Sequence, residues 1–190
     1  MALWYVRLVN TNPNVSHLED PPLARALFSD VRWSWIWLVV RFYAGWQWLS
    51  EGFEKVTSPA WTGAQAGTAL AAWLAKALTK TSGAHPDVQG WYAVFLKDVV
   101  VPNAAFWSIL VSYGELLVGL GLILGLFTGI AAFFGTLMNA SYLLAGTVSI
   151  NPILFALASL LVLAWKTAGW WGLDRFVLPR LGTPWQPGPL

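Results

Sequence analysis

Cysteine is absent from the chain. This excludes disulfides, iron–sulfur ligation, thiolate metal sites and any dithiol redox couple. Histidine is nearly absent as well, since His17 and His85 are the two present and both lie in polar segments outside the apolar runs. An intramembrane bis-histidine haem or copper centre would lack its usual ligands, and no metal or haem held by this chain is expected. Charge is also scarce: 11% of the 190 residues are charged, against roughly 25% in soluble domains. The net charge of +2 comes without any Lys/Arg-rich cluster, which sets nucleic acid aside as a partner. Walker loops, dinucleotide glycine fingerprints, nucleophile elbows and zinc motifs are missing too.

What the chain has is apolar length: 57% of it is hydrophobic, with fourteen tryptophans. The composition is that of an all-α integral membrane protein. Four runs read as spans, at about 33–53, 105–126, 129–148 and 152–171. The links from the second to the third and from the third to the fourth are only a few residues long, which makes those helices antiparallel neighbours. The expected fold is a four-transmembrane-helix antiparallel bundle with a long helical first connection and interfacial terminal segments. Residues 1–32 form an interfacial arm with a short amphipathic piece near Leu23–Phe28, residues 33–171 the membrane domain, and residues 172–190 an interfacial tail. The start of the chain lacks a signal-peptide pattern, so the first span is expected to serve as the targeting signal.

The connection 54–104 carries "AQAGTALAAWLAKALTK", in which Leu70, Trp73, Leu74, Ala77 and Leu78 recur at helical spacing. This predicts an interfacial helix. The following "VQGWYAVFLKDVVVP" is too short to span and is expected to be a second interfacial or capping element. Arg25, Arg32, Lys166, Arg175 and Arg180 flank one side, against Lys55 and Lys97 on the other. The bias places both termini in the cytoplasm and the long connection outside; the membrane expected is the cytoplasmic membrane of a prokaryote. Trp33, Trp35 and Trp37, and at another predicted end Trp165, Trp170 and Trp171, read as belts in contact with membrane lipid, whereas Trp46 and Trp48 lie deeper.

Charged residues within the spans carry the functional reading. Arg41 in "WIWLVVRFYAGWQWL" falls roughly 12 Å from the start of the first span, and Glu115 in "SYGELLVG" roughly 15 Å from the same boundary. Asn139 falls at a similar level on the third span. A lone charge facing lipid costs several kcal/mol. The expectation is therefore a contact between Arg41 and Glu115 inside the bundle, closed by Asn139. Arg41, Gly45, Trp48, Gly52 and Lys55 form one helical stripe, and Glu51, Glu54 and Lys55 close the span, either snorkelling to the interface or forming a polar mouth to the pocket. A packing role for the pair and a polar pocket both remain open from the residues alone.

The segments "RFYAGWQWLSEGFEKVTSPAW", "GELLVGLGLILGLFTGIAAFFGTLMNASYLLAGTVSINPILF" and "AWKTAGWWGLDRFVLPRLGTPW" resemble the DoxX family, specifically its DoxD-like branch. The resemblance implies a four-helix membrane protein of respiratory chains, described as the small membrane subunit of thiosulfate:quinone oxidoreductase and as a terminal quinol oxidase subunit. It implies quinone as the bound ligand or substrate, thiosulfate or a similar electron donor, and a second, extracytoplasmic subunit. An oxidase role fits poorly, because the chain lacks the usual haem and copper ligands. On this reading a quinone ring enters between helices and stacks near Trp48, Arg41 binds a carbonyl oxygen, and Glu115 holds the arginine and relays a proton. Gly45, Glu51, Gly52, Lys55 and Asn139 then line the pocket. The alternative is a non-catalytic structural or assembly subunit of a larger respiratory or photosynthetic complex.

Overall fold

In a computed structural model, residues 20–181 are described, and among them every regular element is helical. Arm residues 1–19, His17 among them, and tail residues 182–190 lie outside the described residues, and with them those parts of the expected interfacial arm and tail. A short helix α1 (Pro22–Ser29) opens with proline at its first position and carries a strong apolar face. After it Asp30 caps a 3₁₀ turn, Val31–Trp33, by accepting from the Arg32 backbone N–H at 2.9 Å. The Arg32 side chain also bonds the Asp30 carboxylate, at 2.6 Å from Nη2, and holds that carboxyl below its ordinary range.

Four helices build the body: α2 (Ser34–Thr57), α5 (Ala104–Leu124), α6 (Thr128–Leu144) and α7 (Asn151–Leu163). The most extensive contacts are α2 with α5 and α6 with α7; α5 with α6 and α2 with α7 complete the ring. Small residues set the closest approach. A Cβ on Gly52 would run into the backbone of Leu116 and Glu115, and one on Gly119 into Leu49, while Gly45 lies against Leu122 and Ile123. The register is antiparallel, and such glycines let helices associate where lipid supplies no hydrophobic drive. On the opposite side Gly114 faces Met138 and Gly121 faces Ala131, which makes α5 and α6 antiparallel as well. Trp48 fills the centre, with its indole edge 3.3 Å from where a Cβ of Gly135 would stand.

A second, smaller core sits on one end of this ring. It joins α3 (Thr68–Leu78) to α4 (Gly90–Phe95) through Leu70, Leu74, Ala77, Val88, Tyr92, Leu96 and Val100. Gly67, at φ +93°, starts α3 where a side chain would strike the backbone of Ala104 and Ala105. Tyr92 fastens the cap by donating to the Ser141 carbonyl at 3.0 Å, and Lys80 donates to the Gly146 carbonyl at 2.5 Å.

The predicted spans shift in three ways. The capping piece before the second span is not separate: α4 runs through a π turn at Leu96–Val100 and a 3₁₀ turn at Val101–Asn103 into α5, giving one helix over Gly90–Leu124. Pro102 explains the irregularity, because it lacks an N–H and crowds the preceding turn. This 35-residue helix is the one among the described residues long and apolar enough to cross a membrane; α6 and α7 are shorter apolar helices. The third predicted span ends early, at Leu144, where the chain turns through Gly146 at φ +68°. The fourth breaks at Ala164 into α8 (Trp165–Ala168), after which the chain folds back. Leu173 donates to the Leu124 carbonyl at 3.1 Å and Asp174, the first residue of α9 (Asp174–Val177), to the Gly125 carbonyl at 2.7 Å.

Candidate functional site

The predicted contact between Arg41 and Glu115 does not form. Arg41 is buried, and it donates from Nη1 to the Ile123 carbonyl at 3.3 Å and from Nη2 to the Trp171 carbonyl at 3.2 Å. It therefore caps the C-terminal end of α5, where a cation complements the helix dipole. Gly125, at φ +61°, ends α5 with no side chain in the space the guanidinium occupies. Asp174 is the carboxylate that acts on Arg41 electrostatically, and it also accepts from the Phe127 and Thr128 backbone N–H groups at 2.6 and 2.9 Å, closing the N-terminus of α6. The α2–α5 register keeps the two apart: Gly45 lies against Leu122 and Gly52 against Glu115, so Arg41 is level with the very end of α5. The first two turns of α2 extend beyond α5 and pack instead on α8 and, through Trp37 against Leu27 and Phe28, on α1.

Glu115 meets the other end of the stripe. Its carboxylate accepts from Lys55 Nζ at 2.7 Å and from the Tyr142 hydroxyl at 2.6 Å. Lys55 also reaches Glu51, one turn back on α2, at 3.1 Å. The side chain of Glu115 is 3% exposed and that of Lys55 16%, while Glu51 is 64% exposed. The ion pair thus runs from the bundle interior to the surface. Glu115 is positioned by the close contact at Gly52, which brings α2 within reach, and Tyr142 by its place on the last turn of α6.

Around this network lies a pocket of about 320 Å³. Its polar wall is Gln47, Glu51, Lys55, Glu115 and Tyr142, with Thr147 and Ser149 from the α6–α7 turn and Asn151 from the start of α7 at the mouth. Its flat walls are Trp48 from α2, Trp61 from the long connection and Trp73 from α3. Lys55 Nζ stands 5.4 Å from the centre of the Trp61 ring, a cation–π distance. Trp61 is itself held, since its carbonyl accepts from Ser108 Oγ at 2.7 Å. Trp73 meets the Tyr142 ring edge-on at 6.1 Å and Trp48 meets it tilted at 6.4 Å.

The residues expected at a site therefore separate. Trp48, Glu51, Lys55 and Glu115 come together in the pocket, and Gly52 lies directly behind it against Glu115. Arg41 and Gly45 sit at the opposite end of the α2–α5 contact. Asn139 is fully buried one turn from Tyr142, and neither its amide nitrogen nor its oxygen has a partner; Trp48 Nε1 is likewise unpartnered. Trp46, read as deep, is exposed on the outer face of α2. Tyr142, Trp61 and the mouth residues were not anticipated. A tyrosine one helical turn beyond Asn139 in an apolar run was the available signal for Tyr142.

The arrangement offers specific chemistry. An ammonium has three donors, of which two go to Glu115 and Glu51, so one remains to bind an acceptor in the pocket. Each Glu115 oxygen receives one hydrogen bond and keeps a lone pair, so it can accept from a ligand O–H. One lysine against two carboxylates makes the pocket unfavourable for anions. Three indoles and a phenol suit a flat, neutral ring. Among the described residues no cluster of three or more His, Cys, Asp or Glu side chains is placed to hold a metal ion.

A family model, DoxX, matches residues 36–148. The match takes in α2, the long connection, α5 and α6, and so every pocket residue up to Thr147. No curated protein and no solved structure shows significant similarity to the chain.

Proposed function

The chain belongs to the DoxX family, a membrane family often associated with oxidoreductase-related proteins, and from that premise we propose that it is the quinone-binding subunit of a membrane oxidoreductase. The observation that carries the reading is the Lys55–Glu115–Tyr142 network facing a pocket walled by Trp48, Trp61 and Trp73. Lys55 donates its remaining N–H to a ring carbonyl oxygen, and Glu115 takes or gives the proton of the ring hydroxyl. The ring gains two electrons and two protons on becoming the quinol. The electrons come from a partner subunit and its donor, thiosulfate or a compound of similar chemistry; two thiosulfates joined as tetrathionate release the two electrons required. Arg41, which caps α5 away from the pocket, has no part in binding the ring.

The same proposal takes α2, α5, α6 and α7 as four crossings of the cytoplasmic membrane, with the termini inside and the pocket mouth toward the outer surface, where a second subunit would dock. The DoxD-like resemblance supports the thiosulfate assignment. The test is a titration of the purified full-length protein with a water-soluble, tailless quinone analogue, followed by tryptophan fluorescence. Saturable quenching is expected for the wild type, weakened about tenfold or more in Glu115→Gln, since a hydrogen bond to a charged group is worth about 1.5–3 kcal/mol. Quenching that never saturates, or that is identical in the variant, would remove the pocket from function and leave the chain a packing subunit.

A further inference from the structure

Beside the polar pocket, and sharing part of its wall, lies a groove of about 890 Å³ between α5, α6 and the α3–α4 cap. The two share Leu70, Trp73, Val111 and Tyr142, so these residues form the sill between them. From the sill the groove follows α6 to Phe127, fifteen residues away, or about 22 Å along the axis. Its walls are apolar: Gly114, whose added Cβ would meet only the Met138 side chain, leaves the α5 side open, while Leu117, Ile130, Phe134 and Leu137, all largely exposed, form its outer rim. A groove of this kind, taken alone, says nothing of its occupant.

The wall it shares with the pocket does. We propose that the groove holds the isoprenoid tail of the ring that occupies the pocket, so that the ligand enters sideways across the Trp73–Tyr142 sill and its tail lies along α6. This inference rests on the quinone reading above and adds the tail, its path and the entry route. Charge favours this occupant over a phospholipid chain, the other amphiphile at hand in a bilayer. A phosphate head at the sill would meet two carboxylates and one lysine already shared between them, whereas a neutral ring meets no net repulsion. Length agrees as well, since a path of about 22 Å is most of a bilayer core of about 30 Å. A tail aligned with the helices would run from the pocket toward the opposite membrane face without leaving apolar surface.

The test compares tailless, short-tailed and long-tailed quinone analogues on the full chain in detergent, by competition against a fluorescent tailed analogue. Two variants fill the groove without entering the pocket. Gly114→Leu starts from a position whose added Cβ meets only Met138 Sδ at 3.4 Å, and Leu117→Trp from a side chain that is 65% exposed. Affinity is expected to rise with tail length in the wild type. Each variant should weaken the long-tailed analogue about tenfold, the equivalent of excluding two buried methylenes, and leave the tailless one unchanged. Equal affinity for all tail lengths, or long-tailed binding indifferent to both variants, would overturn the tail site while leaving the ring site standing. If no analogue competes, tailless ones included, the quinone reading itself fails. Co-purified phospholipid that long-tailed analogues cannot displace would assign the groove to lipid and overturn the proposal.

Discussion

Replacing Lys55 with methionine keeps most of the apolar stem and removes only the charge, leaving the Glu115 carboxylate 3% exposed with the Tyr142 hydroxyl as its one remaining partner. Breaking a buried pair by removing one partner costs about 3–5 kcal/mol. The surviving tyrosine hydrogen bond and the 16% exposure of Lys55 put this case at the lower end, about 3 kcal/mol. The reverse change, Glu115→Gln, should cost only about 1 kcal/mol, because an amide oxygen still accepts from Tyr142 and Lys55 still reaches Glu51. The double variant contains no stranded charge and should also lose about 1 kcal/mol, so the two single effects fall short of additivity by about 3 kcal/mol. Reversible unfolding in mixed micelles, followed by far-UV circular dichroism, measures all three. Lys55→Met within about 0.5 kcal/mol of the wild type, the range of an exposed pair, would refute the burial argument, and so would additive losses.

Arg41→Leu should destabilise the chain by about 3 kcal/mol, since it frees the Ile123 and Trp171 carbonyls in a buried place. Its affinity for a tailless quinone should nevertheless match the wild type in the same fluorescence titration. Asp174→Ala strips two backbone donors at the start of α6 and should cost about 2 kcal/mol, visible as a lower melting temperature. Gly52→Ala, whose Cβ would meet the Leu116 backbone, should cost about 3 kcal/mol and widen the Lys55–Glu115 contact. Gly114→Ala, open except for the Met138 sulfur, should be neutral or stabilising by about 0.5–1 kcal/mol in the same unfolding assay.

The centres of the helices were legible because apolar length reports them directly: α2, α3, α5, α6 and α7 each fall within the run that predicts them, whereas their ends and the join of α4 to α5 were not. The family resemblance rested on the same stretches, and the matched region 36–148 covers most of them. Pairing across helices was not legible. Arg41 and Glu115 each looked stranded, and equal depth made them partners, but depth fixes one coordinate while the α2–α5 register fixes another. That register is set by Gly45, Gly52 and Gly119, whose close contacts place Lys55 and not Arg41 beside Glu115. The stripe from Arg41 to Lys55 is real, but it reaches two separate sites, a helix cap at one end and a pocket at the other. Trp61, Thr147 and Ser149 belong to irregular segments, where spacing carries no directional signal. Only the folded chain brings them over Glu115.

The most direct test of the central claim is where a quinone lands. A photoreactive tailless quinone analogue, cross-linked to the full-length protein in its native membrane and mapped by peptide mass spectrometry, reports this without depending on turnover or on the partner. Labelling is expected at Trp48, Trp61, Trp73 or Tyr142, suppressed by excess unlabelled quinone and reduced in Glu115→Gln. Competable labelling near Arg41, or labelling spread over lipid-facing residues and indifferent to competitor, would contradict the assignment of the pocket.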